Sequence, residues 1–331
     1  MIMLVSGLLT LGLVAALVGV WALWTYQGPG PATKSGGVHV VMLRRGAGLN
    51  EIASALEKAG AVRSAPVFLA AAQITGAARE LKAGEYEFPN RAPMSVVLDY
   101  VREGRVVRHQ VTIPEGWTSE MVVEALMKEP ALTGEVATPA EGTILPETYE
   151  FERGEERGAV LQRMMDDRDR LLASLWDKRK SGLPVRTPEE AVTLASIVEK
   201  ETGIASERPR VAAVFMNRLN QGIRLQSDPT IIYGLTRGRP LGRGIRRSEL
   251  DAPNPYNTYQ IDGLPPGPIA NPGRASLAAV LDPPESTELF FVADGSGGHV
   301  FASTLEEHNR NVERWRIVEQ QKAAERAAKG N

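Results

Sequence analysis

The first 26 residues constrain this chain more than any other feature, because nearly all are apolar and the first charged side chain is Lys34. Such a run exceeds the roughly 20 residues that a helix needs to span a bilayer. A cleaved signal peptide is the alternative, but no clear small-residue cleavage site follows the run. We therefore predict a membrane anchor at residues 1–26. No second run of spanning length follows, so the rest is predicted to lie on one side of the membrane.

Residues 27–37 read QGPGPATKSGG, a composition typical of a Gly/Pro linker. We predict that this linker lifts the folded part of the chain off the membrane. No Lys or Arg precedes the anchor, so charge does not fix which end is cytoplasmic.

The length of 331 residues suits about two domains, and the pattern of elements predicts an α+β fold. We predict a small α+β module at 38–108, a larger mixed α+β domain at 109–319 and a solvated helical tail at 320–331. The predicted strands include 38–43, 84–88 and 299–302. The predicted helices include 49–59, 65–75 capped by Ser64, 208–219 capped by Ser206, and a last helix whose Leu305, Val312 and Trp315 pack on the core.

Composition excludes several classes of function. The chain has no cysteine, which excludes disulfides and thiolate chemistry, and its four histidines lack a metal-ligand spacing. We therefore predict neither a metal nor a cofactor. A net charge of −2 without a basic stripe argues against nucleic-acid binding. No Gly-x-Ser-x-Gly motif is present, so a serine hydrolase is not favoured.

Glu201 lies where a helix pattern requires an apolar residue. Thr187, Pro188 and Glu190 predict a helix start as N-cap, first-turn proline and capping-box glutamate. On a 3.6-residue period, Glu201 continues an apolar stripe formed by Ala191, Leu194, Ile197 and Val198. Loss of hydration would raise the pKa of this carboxyl, as a general acid requires. The alternative is a helix-end glutamate whose carboxylate swings into solvent.

Glycoside cleavage commonly uses a second carboxyl group about 5 to 9 Å from the first. The candidates are Glu147 and Asp228. Each has a structural alternative: Asp228 precedes Pro229 and is suited to cap a short helix, while Glu147 can pair with a nearby Arg. Glu199 lies about 200° round the helix from Glu201, so the two are not expected to share one pocket.

Tyr256, Asn257, Thr258 and Tyr259 offer the aromatic faces and amides that sugar recognition uses, with ordinary loop packing as the alternative. They belong to a long segment, residues 251–273, that is predicted to be an ordered loop forming one wall of a site. His299 alternates with Val300 on a predicted hairpin strand, which places it on the same face as Phe301; a structural histidine is the alternative.

Several long motifs in order closely resemble the endolytic murein transglycosylases, the YceG-like family. The resemblance covers roughly residues 38–318 and is carried by LASIVEKET (194–202), ASER (205–208), VFMNRL (214–219), LQSDPT (225–230), YNTY (256–259), GLPPGPI (263–269), NPG (271–273), and VADG (292–295) on to His299. The chain departs from the family at Glu147, where the family usually has Asp before Thr-Tyr.

The resemblance implies a single membrane span, a LysM-like module and a catalytic domain outside the cytoplasm, anchored in the inner (cytoplasmic) membrane. It implies that Glu201 is the catalytic residue of a lytic transglycosylase. One acid/base then suffices, because the C6 hydroxyl of N-acetylmuramic acid attacks its own C1 and leaves a 1,6-anhydro end. Peptidoglycan glycan strands are the implied substrate and membrane-bound peptidoglycan synthases the implied partners. Expected substrate contacts are Gln226, Asp228, Tyr256, Asn257, Thr258, Tyr259, Asn271 and His299.

Two other functions are compatible with this sequence. The first is a membrane-anchored scaffold that binds peptidoglycan through the LysM-like module without cleaving it. The second is an ordinary muramidase, which adds one water to each bond that it cleaves.

Overall fold

The structure is a computed structural model that describes residues 2–33 and 36–329. It is a mixed α and β structure. Its helices are α1 (Ile2–Gln27), α2 (Leu49–Lys58), α3 (Ala65–Ile74), α4 (Met94–Glu103), α5 (Ser119–Lys128), α6 (Arg157–Asp177), α7 (Pro188–Glu201), α8 (Arg208–Asn220), α9 (Asp228–Thr236), α10 (Arg247–Leu250), α11 (Arg274–Leu281) and α12 (Leu305–Lys329). Its strands are β1 (His39–Leu43), β2 (Gly84–Phe88), β3 (His109–Thr112), β4 (Thr148–Phe151), β5 (Phe290–Ala293) and β6 (His299–Ala302).

The chain forms two compact units. Unit 1 contains the residues up to Gln110 together with Glu150–Glu155, and unit 2 contains Val111–Tyr149 together with the chain from Glu156 onward. The strands pair two by two, β1 with β2, β3 with β4 and β5 with β6.

Helix α1 begins unit 1, and its part from Gly7 to Gln27 is long and apolar enough to cross a membrane. Its side chains from Gly7 to Trp24 are almost all exposed, as expected of a helix whose solvent is lipid. The predicted anchor thus corresponds to one helix of sufficient length and composition. Among the described residues, the other apolar helix, α3, is only 10 residues long, too short to span a bilayer.

The rest of unit 1 packs three helices, α2, α3 and α4, with an antiparallel strand pair around one core. In the register of β1 and β2, Val41 faces Tyr86 and His39 faces Phe88. Tyr86 and Phe88 are fully buried with Phe68 of α3, and the Tyr86 hydroxyl donates to the Lys82 carbonyl at 2.8 Å. The predicted cap of α3 is confirmed, since the Ser64 hydroxyl accepts from the Val67 amide.

The segment after α1 differs from the predicted linker. The amide of Gly30 donates to the Arg91 carbonyl at 3.0 Å, and the Arg63 guanidinium donates to the Pro29 carbonyl. The amide of Thr33 donates to the side chain of Asn90 at 2.9 Å. Residues 27–33 are therefore held against the folded part of unit 1 that follows them. Composition missed this arrangement because the hydrogen-bond partners lie 34 to 61 positions later in the chain. Residues 34–35 of the predicted linker lie outside the described residues.

Unit 2 is built around α7, which lies in the largest hydrophobic cluster beside α8 and α11. The predicted stripe is confirmed, because Ala191, Leu194, Ile197 and Val198 are fully buried. The Thr187 hydroxyl accepts from the Glu190 amide at 3.2 Å, as an N-cap should. The Glu190 carboxylate accepts from the amide of Arg186, one residue earlier than a capping box would place it.

Two details of unit 2 differ from prediction. Ser206 lies inside a short 3₁₀ turn, Ala205–Glu207, and does not cap α8, whose N-cap position is Glu207. Leu305 is 58% exposed, whereas Val312 and Trp315 are only partly exposed. The predicted loop at residues 251–273 contains neither helix nor strand.

Candidate active site

Glu201 is the last residue of α7 and is partly buried. The apolar stripe of α7 anchors the preceding turns in the core, so the position of this carboxyl is set by a rigid helix. The alternative of a carboxylate that swings freely into solvent is not observed. Instead, one oxygen of the carboxyl accepts a hydrogen bond from the hydroxyl of Ser227.

Ser227 occupies the N-cap position of α9, yet its hydroxyl serves Glu201 and not the helix. A serine at this position ordinarily accepts a hydrogen bond from an amide of the first turn, which contributes about 1 kcal/mol. The side chain is 1% exposed, and its backbone amide donates to the Thr258 hydroxyl at 2.9 Å. The surroundings therefore hold the Ser227 hydroxyl as a donor to Glu201. As a result, α9 lacks a side-chain hydrogen bond at its N-cap.

The residue before Ser227 has an unusual backbone conformation. Gln226 has φ 53°, in the left-handed region that non-glycine residues seldom adopt. The conformation is held by its amide, which donates to the Thr258 carbonyl at 3.1 Å, and by Arg218, which donates to its side-chain oxygen at 3.3 Å. Such local strain costs on the order of 1–3 kcal/mol and is concentrated at functional sites.

The charge state of Glu201 follows from these surroundings. Burial is the largest influence and raises the pKa of its carboxyl, while the hydrogen bond from Ser227 lowers it. The negative charge of Asp228 raises this pKa further, while His299 and Arg218 lower it. The resulting pKa is about 7. Near neutral pH the carboxyl therefore exists in both its protonated and its ionised form, as proton transfer in both directions requires.

Asp228 and Glu147 are the two candidates for a second carboxyl group. Of these, Asp228 is the one whose charge raises the pKa of Glu201. It is exposed, and the Tyr259 hydroxyl donates to its Oδ1 at 2.7 Å. Burial and the hydrogen bond to Asp228 raise the pKa of Tyr259. Asp228 is the first residue of α9, so it does not cap that helix.

Glu147 is exposed, and its backbone carbonyl accepts from the Ile113 amide at 3.0 Å. This hydrogen bond lies next to the end of the β3–β4 pair and fixes the backbone at Glu147. Among the described contacts, none joins its side chain to Glu201.

His299 is held by a second carboxyl group near Glu201. Its Nδ1 lies 2.8 Å from Glu207 Oε2, and its backbone amide donates to Glu207 Oε1 at 2.8 Å. The Thr202 hydroxyl also donates to Glu207, at 3.0 Å. Burial raises the pKa of the Glu207 carboxyl. The hydrogen bonds from His299 and Thr202 together lower it by more, so the net pKa lies below its ordinary value. As predicted, His299 and Phe301 share a face, where both contact the ring of Phe291.

Three other predicted site residues, Asn257, Thr258 and Asn271, have polar groups that are engaged within the protein. The Asn257 side-chain amide donates to three backbone carbonyls, and its oxygen accepts from the Tyr259 amide. The Asn271 side chain bonds to the backbone of Ile144 and Trp117 and to Ser119. Both are 1% exposed or less, as is Thr258, which bonds to Ser227 and Thr230. Tyr256 packs on Tyr233 with ring centroids 4.8 Å apart.

Glu199 points away from Glu201, as the helix period predicts. Its carboxylate accepts from Arg208 at 2.9 Å, from the Gly273 amide at 2.9 Å and from the Ser276 hydroxyl at 2.7 Å. Its side chain is 3% exposed. These partners make Glu199 part of the core that holds α7, α8 and α11 together.

Three residues that contribute to the site were not found from the sequence. Ser227 lies in the LQSDPT motif, but nothing in that motif marks it as a hydrogen-bond partner of Glu201. Glu207 supports His299 across 92 residues of chain. Arg218 donates to the carbonyls of Arg224, Leu225 and Leu289, and so fixes the segment before Ser227. Only tertiary contacts reveal these roles. In the part of the chain that the structure describes, no three His, Asp or Glu residues are grouped so as to hold a metal ion.

Comparison with known proteins identifies the family of this chain. The model of the YceG-like family matches residues 41–314. The endolytic murein transglycosylase of Bacillus subtilis is 27% identical over 303 residues, which cover 82% of each chain. The endolytic murein transglycosylase of Streptococcus pneumoniae strain D39 is 28% identical over 321 residues, 82% of this chain and 57% of that protein.

A solved structure supports the same assignment. The crystal structure of a YceG-like protein from Listeria monocytogenes has a TM-score of 0.52 and 28% identity, covering 83% of this chain and 98% of that chain. The predicted resemblance is confirmed, and the chain belongs to the YceG-like family.

Proposed function

We propose that this member of the YceG-like family is a membrane-anchored endolytic murein transglycosylase that cleaves the β-1,4 bond between N-acetylmuramic acid and N-acetylglucosamine. The proposal rests on Glu201, a partly buried carboxyl with a pKa of about 7 at the end of a rigid helix. The names of the relatives from Bacillus subtilis and Streptococcus pneumoniae support the same reaction class.

In the proposed reaction, protonated Glu201 donates its proton to the glycosidic oxygen as the bond from C1 of N-acetylmuramic acid to that oxygen breaks. The C6 hydroxyl of the same sugar then attacks C1, and its proton passes to the Glu201 carboxylate. The products are a 1,6-anhydro end and a free 4-hydroxyl, and no water is consumed. Because the nucleophile is tethered to the reacting sugar, its effective concentration is high and one acid/base suffices.

The surroundings of Glu201 support both halves of this cycle. Burial favours the protonated form before cleavage, and the Ser227 hydroxyl stabilises the carboxylate that forms afterwards. We assign sugar contacts to the more exposed groups, Gln226, Asp228, Tyr259 and His299. Tyr256, Asn257, Thr258 and Asn271 then act by holding the walls, since their polar groups or rings are engaged within the protein.

The membrane anchor suits a substrate made at the membrane surface. Helix α1 would hold unit 2 outside the cytoplasm on the inner (cytoplasmic) membrane, beside the synthases that extend glycan strands, so that cleavage ends elongation. We further propose that residues 38–108 form a LysM-like module and that this module binds the glycan.

Mass spectrometry of the products tests this proposal. Purified full-length protein is incubated with uncrosslinked glycan strands, and the masses of the new ends are compared with those of the uncleaved strand. We expect 1,6-anhydro ends, with no added water per cleaved bond. One added water per bond would identify a muramidase instead, in which Asp228 beside Glu201 activates the water. Binding without any cleavage would identify a scaffold.

A further inference from the structure

The junction between α1 and the rest of unit 1 leaves almost no free chain. Thr25 is 4% exposed and Tyr26 packs on the core of unit 1, so the last turn of α1 is already part of that unit. A side chain at Gly30 would place its Cβ 2.1 Å from the Ala92 carbonyl oxygen, which shows how closely the following backbone approaches unit 1. If α1 spans a bilayer, the surface of unit 1 around this junction must lie at the bilayer surface.

Arg63 marks the level of that surface. Its Nε and Nη2 donate to the Pro29 carbonyl at 3.1 and 2.9 Å, and its guanidinium lies 5.1 Å from the centre of the Trp24 ring. Trp24 is 55% exposed, and tryptophan is enriched where a membrane helix meets the headgroup layer. Arg63 is therefore placed at the depth of the lipid headgroups.

Helix α3 begins two residues after Arg63 and contacts α1. From residue 64 to residue 78 the chain carries no charged side chain, and the flanking residues are Arg63 and Arg79. The side chains of α3 that face outward are Pro66, Ala70, Gln73 and Ile74, and Ile74 is 85% exposed. An exposed, uncharged helix face with basic residues at both ends is the composition of a segment that lies in the headgroup layer.

We propose that α3 is a second membrane contact, whose outward face (Pro66, Ala70, Gln73 and Ile74) lies in the headgroup layer of the bilayer that α1 spans, with Arg63 and Arg79 beside lipid phosphates. The occupant of this face is the phospholipid surface, because α1 brings it there. The contact holds unit 1 flat on the membrane and removes the freedom that a flexible linker would give. This inference rests on α1 spanning the bilayer and is independent of the proposed reaction.

Site-specific fluorescence in vesicles tests the proposal. The chain has no cysteine, so Ile74→Cys provides one attachment site for an environment-sensitive dye in the full-length protein. The labelled protein is reconstituted in vesicles of three parts phosphatidylcholine to one part phosphatidylglycerol. Glu285→Cys, at a side chain that is 94% exposed, provides the reference for a dye in water.

We expect the dye at position 74 to emit at shorter wavelength than the reference, to be quenched by headgroup-labelled lipid and to be protected severalfold from aqueous iodide. An emission maximum and iodide quenching equal to those of the reference would overturn the proposal. The exposed Ala70→Cys carries the same test if Ile74→Cys does not fold.

Arg63→Ala separates the docked arrangement from accidental adsorption of the dye. Loss of the guanidinium removes the hydrogen bonds to the Pro29 and Gly30 carbonyls, and we expect the iodide protection at position 74 to fall at least twofold. Unchanged protection in this variant would show that the dye binds lipid without the hydrogen bonds of Arg63. That result would contradict the docked arrangement.

Discussion

Two glutamates at the end of α7, Glu199 and Glu201, occupy opposite kinds of surroundings. Glu199 is 3% exposed and receives hydrogen bonds from a guanidinium, a hydroxyl and a backbone amide. Glu201 receives one side-chain hydrogen bond, from Ser227, and the negative charge of Asp228 lies close to it. Glu199 therefore has a cation and two further hydrogen-bond donors, whereas Glu201, on the same helix, has one hydrogen-bond donor.

The comparison shows how one helix separates stability from chemistry. A buried carboxylate with a cation and several donors holds elements together, and removing its charge leaves those donors without their charged acceptor. A carboxyl that is desolvated without a matching cation has a raised pKa and can exchange a proton near neutral pH. The following predictions test this division, from the largest expected effect to the smallest.

Glu201→Gln should abolish cleavage while leaving the protein folded. The amide keeps the shape of the side chain but has no proton to donate, and a general acid contributes about 100-fold or more to the rate. The rate of release of new glycan ends measures activity, and circular dichroism measures folding. More than about 1% of wild-type activity in this variant would exclude Glu201 as the acid.

Glu199→Gln should have the opposite effect. Breaking a buried ion pair from one side costs up to about 3–5 kcal/mol of unfolding free energy. We expect a smaller loss here, about 1–3 kcal/mol, because Arg208 keeps the Glu115 carboxylate at 2.8 Å while the Gly273 amide and the Ser276 hydroxyl lose a charged acceptor. Urea unfolding measures this loss, and activity per folded molecule should stay within a few-fold of wild type. A variant with wild-type stability, or one that is stable and inactive, would contradict the division between the two glutamates.

The stability of the wild type should depend on pH through Glu201. Its pKa rises from 4.5 to about 7 on folding, so the folded state binds the proton more tightly than the unfolded state. The contribution of this group to stability is present below pH 4.5 and is lost as the pH rises towards about 7, by at most about 1.4 kcal/mol per pH unit.

Urea unfolding of wild type and Glu201→Gln at several pH values isolates this contribution, since other groups titrate alike in both proteins. We expect the wild type to lose stability relative to the variant as the pH rises through this range. A constant difference between the two proteins would show that folding does not raise the pKa of Glu201.

Ser227→Ala should cause the smallest change. The Ser227 hydroxyl lowers the pKa of Glu201, so its loss should move the alkaline limb of the pH–activity profile upward by about 0.5–1 pH unit, equivalent to one hydrogen bond of about 1 kcal/mol. Activity at neutral pH should fall a few-fold because the carboxylate formed after proton donation loses its donor. Ser206→Ala, at an exposed serine, is the matched control and should leave the profile unchanged.

The parts of the molecule that follow local rules were predictable from the sequence. The stripe of α7 singled out Glu201, and the helix period separated it from Glu199. The bounds of β2 and β6 and the Ser64 cap also follow from short-range pattern and turn chemistry. In each case the decisive neighbours are a few residues apart along the chain.

The features that the sequence did not reveal depend on contacts across the chain. Residues 27–33 have the composition of a linker, but carbonyls in that segment meet Arg63, which belongs to a distant turn. Ser206 precedes a helix as a cap would, yet the chain makes a 3₁₀ turn there. Asn257 and Asn271 have amides suited to bind sugar, but in the fold the Asn257 amide bonds to carbonyls near α10 and the Asn271 amide bonds to Trp117 and Ser119. No local pattern separates a free amide from an engaged one.

Carbon-13 NMR of the glutamate carboxyl groups tests the central claim most directly. Titration of wild type beside Glu201→Gln identifies the resonance of Glu201 as the one absent from the variant. We predict that this resonance titrates with a midpoint near pH 7. A midpoint near 4.5, the ordinary value for glutamate, would contradict the account of Glu201 as a carboxyl that holds its proton until the glycan is cleaved.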